Sequence, residues 1–246
     1  MTNDEERDAI EGEEVFAGDP RVHVLPDAAD VYADDQLWLA RVADPLLSIE
    51  LSALDPSWTG RVHLLSPVEP EDGLLGDGTE AHHDDYAGEN WISFRLQDDG
   101  RYAFLGQRAF FAIEADQVSE SLTAHYEEAA AEYEGARRRW AREGRPTWPD
   151  HEDPSRTREG WDGDLPVLDA LGGEPGYGNW ASYAPPAAFV LDESDDATPV
   201  LRLADGRPFT FVGATSGYPW RSHGADAILV FFEPETRTVA MTFDWS

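Results

Sequence analysis

The chain lacks two side chains on which many catalytic and metal sites depend: none of its 246 residues is a cysteine or a lysine. Without cysteine there is no disulfide, no thiolate nucleophile and no cysteine-ligated metal. Without lysine there is no Schiff-base chemistry and no phosphate-binding P-loop lysine. All 18 basic residues are therefore arginines, and with 50 acidic residues they give a net charge of −32 at pH 7.

Long apolar runs are also missing. No stretch approaches the ~20 apolar residues that cross a bilayer. The opening residues, MTNDEERDAIEGEE, have neither the basic start nor the apolar middle of a secretory signal. We therefore expect a cytoplasmic protein with no membrane partner. The charge also disfavours nucleic acid as a partner, because binding phosphate groups requires a basic surface.

The negative charge has two interpretations at this stage. One is solvation: acidic surfaces keep proteins soluble and monomeric, and the compositions of salt-loving and GC-rich organisms drift in this direction. The other is electrostatic attraction to a basic protein partner. The sequence favours the first, because net charge informs on solubility and association more directly than on specific binding.

Hydrophobic residues make up 41% of the chain and aromatic residues 11%, which is enough for a sizeable core. We expect an acidic disordered tail over 1–20, which is rich in Asp and Glu, followed by one globular domain over 21–246. A division of that domain into two lobes, 21–144 and 165–246, is the alternative.

Short β-rich runs separated by Asp, Pro and Gly clusters predict an antiparallel-rich, twisted sheet and an α+β class. The predicted strands lie at 21–25, 36–42, 47–51, 61–65, 91–96, 101–105, 188–191, 200–203, 209–212, 227–232 and 238–245. The run 227–232 is apolar throughout, so we expect it to be central and covered on both faces. A long acidic loop is expected at 67–89.

One long helix is predicted over 118–143. Apolar and aromatic residues recur there at steps of four and three, forming one stripe of a helix: Leu122, Tyr126, Ala129, Tyr133, Ala136 and Trp140. Acids precede arginines along the segment, in the order that complements the helix dipole. Gly144 is suited to the position after the last turn, and Pro146 follows it.

Two loops carry the candidate binding residues. Four glycines and a proline in the segment 172–180 fix a particular backbone path, and Tyr177 and Trp180 supply aromatic walls. The loop 217–226 adds Tyr218, Trp220 and Arg221, together with His223 and Asp226 as an alternative acid–base pair. Structural turns with aromatic caps are the favoured interpretation of both segments, and neither contains a dinucleotide or nucleophile-elbow motif.

Two further clusters are weaker. His82-His-Asp-Asp85 has metal-ligating side chains, but adjacent residues rarely point at one ion, so we expect a solvated turn and neither a metal nor a cofactor. Arg137-Arg-Arg139 lies near the end of the predicted helix, where positive charge interacts favourably with the helix dipole. We therefore expect these arginines to stabilise the helix rather than to bind nucleic acid.

Several segments of the last third together resemble the YwqG-like bacterial family of unknown function. They are Leu171-Gly-Gly-Glu-Pro175, Phe209-Thr-Phe-Val-Gly213, the run from His223 to Pro234, and Thr242-Phe-Asp-Trp245. The resemblance implies a sheet-rich α+β fold and no established reaction. The glutamines that the family carries after its GG-x-P and F-I-G segments are absent here, so no role of theirs transfers.

Two functional hypotheses follow. The first is a non-enzymatic acidic binding protein, such as a bacterial immunity or regulatory protein, for a basic protein partner. The second is a small-molecule-binding protein or hydrolase that uses a cleft between the loops 172–180 and 217–226. The oligomeric state is not indicated by any feature of the sequence.

Overall fold

A computed structural model describes residues 10–70, 73–115, 117–161, 163–194, 198–222 and 224–245. It confirms the α+β class, with antiparallel sheets and one long helix. The strands, in chain order, are β1 (Glu11–Val15), β2 (Val22–Val24), β3 (Ala43–Glu50), β4 (Arg61–Pro67), β5 (Trp91–Leu96), β6 (Tyr102–Phe104), β7 (Leu168–Glu174), β8 (Phe189–Asp192), β9 (Val200–Leu203), β10 (Thr210–Thr215), β11 (Ala227–Glu233) and β12 (Thr238–Asp244). The α-helices are α1 (Ala28–Val31) and α2 (Glu120–Glu143), and 3-10 helices include Asp34–Arg41 and Asn179–Ser182.

A seven-stranded antiparallel sheet in the order β1-β7-β10-β11-β12-β5-β6 forms the centre of the fold. In this sheet β5 and β6 come from the suggested first lobe, whereas β7, β10, β11 and β12 come from the second, so the sheet crosses the division between lobes. The predicted hairpin of β11 and β12 is confirmed, with pairs running from Ala227↔Asp244 to Glu233↔Thr238. The position of β11 between two partners, with six of its seven residues buried, confirms that it is central.

The central sheet is covered on both faces. On one face Phe232, Met241 and Phe243 belong to a core shared with the three-stranded sheet β2-β3-β4 and with α2. On the other face Trp91 and Phe231 pack with Trp180 and with the two-stranded ribbon of β8 and β9. Alternation of side chains along β11 and β12 supplies residues to both cores, as the period of a strand requires.

The predicted helix is confirmed, and both of its ends are capped. Ser119 accepts a hydrogen bond from the backbone N–H of Leu122 at 3.0 Å, which is the usual N-cap interaction. Gly144 adopts φ 66° and its N–H donates to the Trp140 carbonyl at 2.8 Å. The hydroxyl groups of two tyrosines on the buried stripe donate to strand backbones, Tyr126 to Val68 O and Tyr133 to Pro45 O. These bonds fix α2 over the beginning of β3 and over Val68, the residue that follows β4.

Three predictions are wrong, because a short helix forms in one segment and pairing with a distant strand decides the other two. The run 36–42 lies largely in the 3-10 helix Asp34–Arg41 rather than in a strand. The predicted tail is strand over Glu11–Val15, where β1 pairs with β7; residues 1–9 lie outside the described part. The glycine-rich segment expected to be a turn begins as β7, which runs to Glu174.

Among the residues that the structure describes, no helix combines the length and the apolar character needed to cross a bilayer.

Candidate functional site

The structure brings together part of each predicted loop in one cleft of about 580 Å³. After β7 the chain forms an irregular turn and then the 3-10 helix Asn179–Ser182. The side of this turn meets the start of β11 and the end of β12. Tyr177, Trp180, Asp226 and Asp244 are among the residues that line the cleft.

Backbone contacts fix the carboxylates in this aromatic–acidic cleft. The N–H of Asp226 donates to the carbonyl of Asp244 at 2.9 Å, so the two residues are held across the β11–β12 pair. The Trp180 N–H donates to Asp244 Oδ2 at 3.3 Å. A Cβ atom at Gly178 would collide with the Asp244 carboxylate, so only glycine allows the turn to approach it this closely.

The cleft is acidic and aromatic. Asp244 is 6% exposed and Trp180 1% exposed. Among the described residues that line it there is neither an arginine nor a histidine. Within the described residues, the indole Nε1 of Trp180 has no hydrogen-bond partner. Carboxylates beside aromatic rings attract an organic cation through charge and through the negative faces of the rings.

Tyr218 connects the second loop to this cleft without lining it. Partial burial and the neighbouring Asp226 carboxylate raise the pKa of Tyr218. Its ring packs against Trp148, with ring centroids 5.9 Å apart. Tyr218 therefore supports Asp226 from outside the cleft.

Two other predicted residues lie elsewhere. Trp220 is 2% exposed and packs against Trp140 of α2, with ring centroids 6.3 Å apart, so it belongs to the core. Arg221 is buried on the α2 side of the molecule and lines a different pocket. His223, the proposed partner of Asp226 in acid–base chemistry, lies outside the described residues.

The second pocket, of about 310 Å³, has the largely buried Arg221 in its lining. The guanidinium Nη2 donates to Ser66 Oγ at 3.0 Å and to Glu69 Oε2 at 3.2 Å, and it also contacts the carbonyl of Pro67. Burial raises the pKa of Asp44 to about 7 and raises that of Glu69, and the positive charge of Arg221 opposes both shifts. Arg221 therefore compensates two acids that the fold removes from water.

The sequence reasoning missed Asp244, Asp44 and Glu69. Asp244 stands in the quoted Thr242-Phe-Asp-Trp245 segment, but its role depends on contact with Gly178, 66 residues earlier in the numbering. Asp44 stands before a proline, and because proline within a run counts against a strand, the start of β3 was not predicted there. An isolated acid within an apolar run is the signal that could have indicated Asp44.

A buried serine–histidine pair across β3 and β4 was missed as well. Ser48 Oγ lies 2.8 Å from His63 Nδ1, and His63 Nε2 lies 2.8 Å from the Gly100 carbonyl. The carbonyl can only accept, so Nε2 carries the proton and Nδ1 accepts from the serine hydroxyl. Desolvation by burial lowers the pKa of His63 to about 4.

Many arginines on the described surface are paired with acids. Nine partly exposed arginines form ion pairs with Asp or Glu: Arg21, Arg41, Arg61, Arg101, Arg108, Arg137, Arg142, Arg202 and Arg207. Such exposed pairs add little stability. They do neutralise the positive charge locally, which leaves the surplus of carboxylates to set the surface potential.

The cluster at His82–Asp85 does not converge on one point. His83 Nε2 hydrogen-bonds to the Gly76 carbonyl at 2.9 Å, and Asp84 caps the following turn by accepting from the N–H groups of Tyr86 and Ala87. In the described ranges, no group of three or more His, Asp or Glu side chains is placed to hold a metal ion.

Comparisons with protein-family models, with curated proteins and with solved structures find no significant match to this chain. The resemblance to the YwqG-like family therefore stays a prediction.

Proposed function

We propose that this chain is a non-enzymatic binding protein for a basic protein partner, and that the aromatic–acidic cleft receives a cationic side chain of that partner. The observation that carries the proposal is the composition of the cleft: Asp226 and Asp244 lie beside Tyr177 and Trp180, and none of the described residues that line it is basic. An arginine or lysine entering such a cleft finds opposite charge and a ring surface together.

The rest of the surface supports the same interpretation. With a net charge of −32 and nine of its partly exposed arginines paired with acids, the protein attracts a basic partner from a distance and orients it on approach. A bacterial immunity or regulatory protein that neutralises a basic partner is the functional class that fits this chemistry.

The test is calorimetric titration of the full chain with a hexa-arginine peptide and with a hexaserine peptide of equal length. We expect the arginine peptide alone to bind, with affinity that falls as salt rises from about 0.05 to about 0.5 M, because screening shortens the range of charge attraction. Asp226→Asn should weaken the binding about tenfold, an amount equal to one charge-assisted hydrogen bond.

Asp35→Asn is the matched control. Asp35 is exposed in the 3-10 helix Asp34–Arg41 and does not line the cleft, so this variant changes the net charge equally. Equal losses in the two variants would show that only net charge matters and would refute the role of the cleft. Binding that does not respond to salt would refute attraction by charge.

A small organic cation is the second candidate ligand, favoured by the volume of the cleft, which lies within the ~300–1,000 Å³ range of small-molecule sites. Agmatine, which carries a guanidinium and an amine without a peptide chain, distinguishes the two. If agmatine binds as tightly as the peptide, the cleft alone provides the affinity and a small-molecule function is supported. If only the peptide binds, the partner is a protein.

A further inference from the structure

The pocket beside Arg221 has features that the proposed function does not use. It is separate from the aromatic–acidic cleft: Asp244 lines the cleft, whereas the next residue, Trp245, lines this pocket. Its wall combines one buried cation with several carboxylates, and we refer to it as the Arg221 pocket.

The guanidinium of Arg221 is only partly satisfied by protein groups. The side chain is 4% exposed, and its hydrogen bonds to described residues all come from Nη2. Within the described residues Nε has no hydrogen-bond partner, and Nη1 lies 4.0 Å from Asp44 Oδ2, beyond hydrogen-bonding distance. A buried arginine with unused donors beside a pocket is suited to an anionic group that enters the pocket.

Acids of α2 form the other side of the same pocket. Glu128 is exposed, and Glu132 is half-buried and held by the N–H and the hydroxyl of Ser222. These two carboxylates, one turn apart on the helix, face a shared volume and favour a positive group. His125 also lines the pocket, and its Nε2 donates to the backbone carbonyl of Glu69 at 2.9 Å.

Neither a simple anion nor a simple cation satisfies both sides. A ligand with only a carboxylate would be repelled by Glu128 and Glu132, whereas a ligand with only an amine would leave the donors of Arg221 unused. A compact molecule that carries both charges meets both requirements. Ala129, Pro70 and the ring of Trp245 provide an apolar wall for the rest of such a ligand.

We propose that the Arg221 pocket binds a small zwitterion of the α-amino acid class, with its carboxylate toward Arg221 and its ammonium group toward Glu128 and Glu132. The volume of about 310 Å³ is at the small end of ligand sites and suits a molecule of this size.

The test begins with thermal-shift measurements on the full chain with each common amino acid. A ligand that binds the folded state raises the melting temperature. If none of them does so at millimolar concentration, the proposal is overturned.

For an apolar amino acid that binds, leucine for example, calorimetry then compares it with two truncated forms. Leucinamide keeps the ammonium group and lacks the carboxylate, and 4-methylpentanoate keeps the carboxylate and lacks the amine. We expect each to bind at least tenfold more weakly, since each loses one charge-assisted interaction. Equal binding of leucinamide would show that Arg221 does not contact the ligand and would refute the zwitterion assignment.

Glu128→Gln tests the position of the site without disturbing the core, because Glu128 is exposed. The matched control is Glu127→Gln: Glu127 is the adjacent, equally exposed residue of α2 and does not line the pocket. We expect the first variant to weaken binding several-fold and the second to leave it unchanged. Equal effects would overturn the assignment. Asp226→Asn should not alter binding here, so failure of this site and failure of the cleft can be told apart.

Discussion

The two cavities at the end of β12 use acidic residues in opposite ways. In the aromatic–acidic cleft Asp226 and Asp244 lie beside aromatic rings, and the part of the lining that the structure describes contains no basic side chain. In the Arg221 pocket a buried guanidinium contacts Glu69 at 3.2 Å and lies 4.0 Å from Asp44. The first arrangement places acids beside aromatic rings, where we propose that a cation binds; the second uses a cation to compensate buried acids. Under that proposal the same excess of carboxylates serves recognition in one place and is compensated in the other.

The largest effect should come from removing the cation of the second region. Arg221→Met leaves Asp44 and Glu69 buried without a counter-charge, and we expect a loss of about 3–5 kcal/mol in the free energy of unfolding. Arg138→Met, at an exposed position of α2, should change it by no more than about 0.5 kcal/mol. Urea denaturation followed by tryptophan fluorescence measures both, and similar values would show that Arg221 is not compensating buried acids.

The pH dependence of stability sharpens the comparison through Asp44. Burial raises the folded-state pKa of this carboxyl from 3.8 to about 7. Because the pKa is higher in the folded state, the stability that the protonated Asp44 carboxyl contributes is complete below about pH 4. It is lost as the pH rises through about 7. The unfolding free energy of Asp44→Asn, relative to the wild type, should therefore increase by about 4 kcal/mol between pH 4 and pH 8. A constant difference across that range would contradict the burial of a titrating group.

His63, a buried group outside both cavities, should show the opposite sign. Desolvation lowers its pKa from 6.5 to about 4, so the unfolded chain takes up the proton first as the pH falls. The stability that His63 contributes is present above about pH 6.5 and is lost toward pH 4, by about 3 kcal/mol. His63→Gln keeps a donor for the Gly100 carbonyl and should remove that acid-side loss. Denaturation curves at pH 4.5 and pH 7 give the change in unfolding free energy for each protein. An equal change in the wild type and in His63→Gln would contradict this assignment.

The smallest of these effects concerns the shape of the cleft. Gly178→Ala places a methyl group against the Asp244 carboxylate, and we expect it to destabilise the fold by about 1–3 kcal/mol and to weaken binding of the arginine peptide. Gly88→Ala is the control, because a Cβ atom there meets only Pro186, at an ordinary contact distance of 3.6 Å. Calorimetry measures peptide binding and thermal melting measures stability in the two variants. Equal values for both would contradict the close contact between Gly178 and the Asp244 carboxylate.

Elements with a strong local pattern could be predicted from the sequence. The period of apolar residues and the cap at Gly144 indicated α2, and the apolar run of β11 indicated a central strand. Both signals are local and agree with the final packing. The run 36–42 imitates a strand because its apolar residues alternate, yet Leu37 is 44% exposed and Leu39 is fully buried within a 3-10 helix.

Elements that depend on a distant partner could not be predicted in this way. Four of the five residues of β1 are exposed, and two of them are Glu13 and Glu14, so the strand carries no hydrophobic signal. Its pairing with β7 forms it instead, and Arg21 adds an ion pair to Glu13 at 2.6 Å. Propensity is a weak guide where a neighbouring strand supplies the hydrogen bonds.

Only part of the candidate site could be predicted, because some of its residues have local sequence signals and others depend on distant partners. The aromatic residues Tyr177 and Trp180 stood out beside glycines, and Asp226 was identified by its loop. Trp220 has the same composition cues but is buried against Trp140, since aromatic type does not indicate whether a ring lines a cleft or a core. Asp244 required knowledge of which strand end faces the turn, which only the sheet order supplies.

The most direct test of the cleft is a map of where a basic ligand contacts the protein. Titration of the ¹⁵N-labelled chain with the hexa-arginine peptide should shift the indole N–H signal of Trp180 and the amides of Gly178, Asp226 and Ala227, all of which belong to cleft residues. Amides of α2 beside the Arg221 pocket should stay in place. Shifts spread evenly over the acidic surface, or confined to α2, would contradict a cleft that recognises cations.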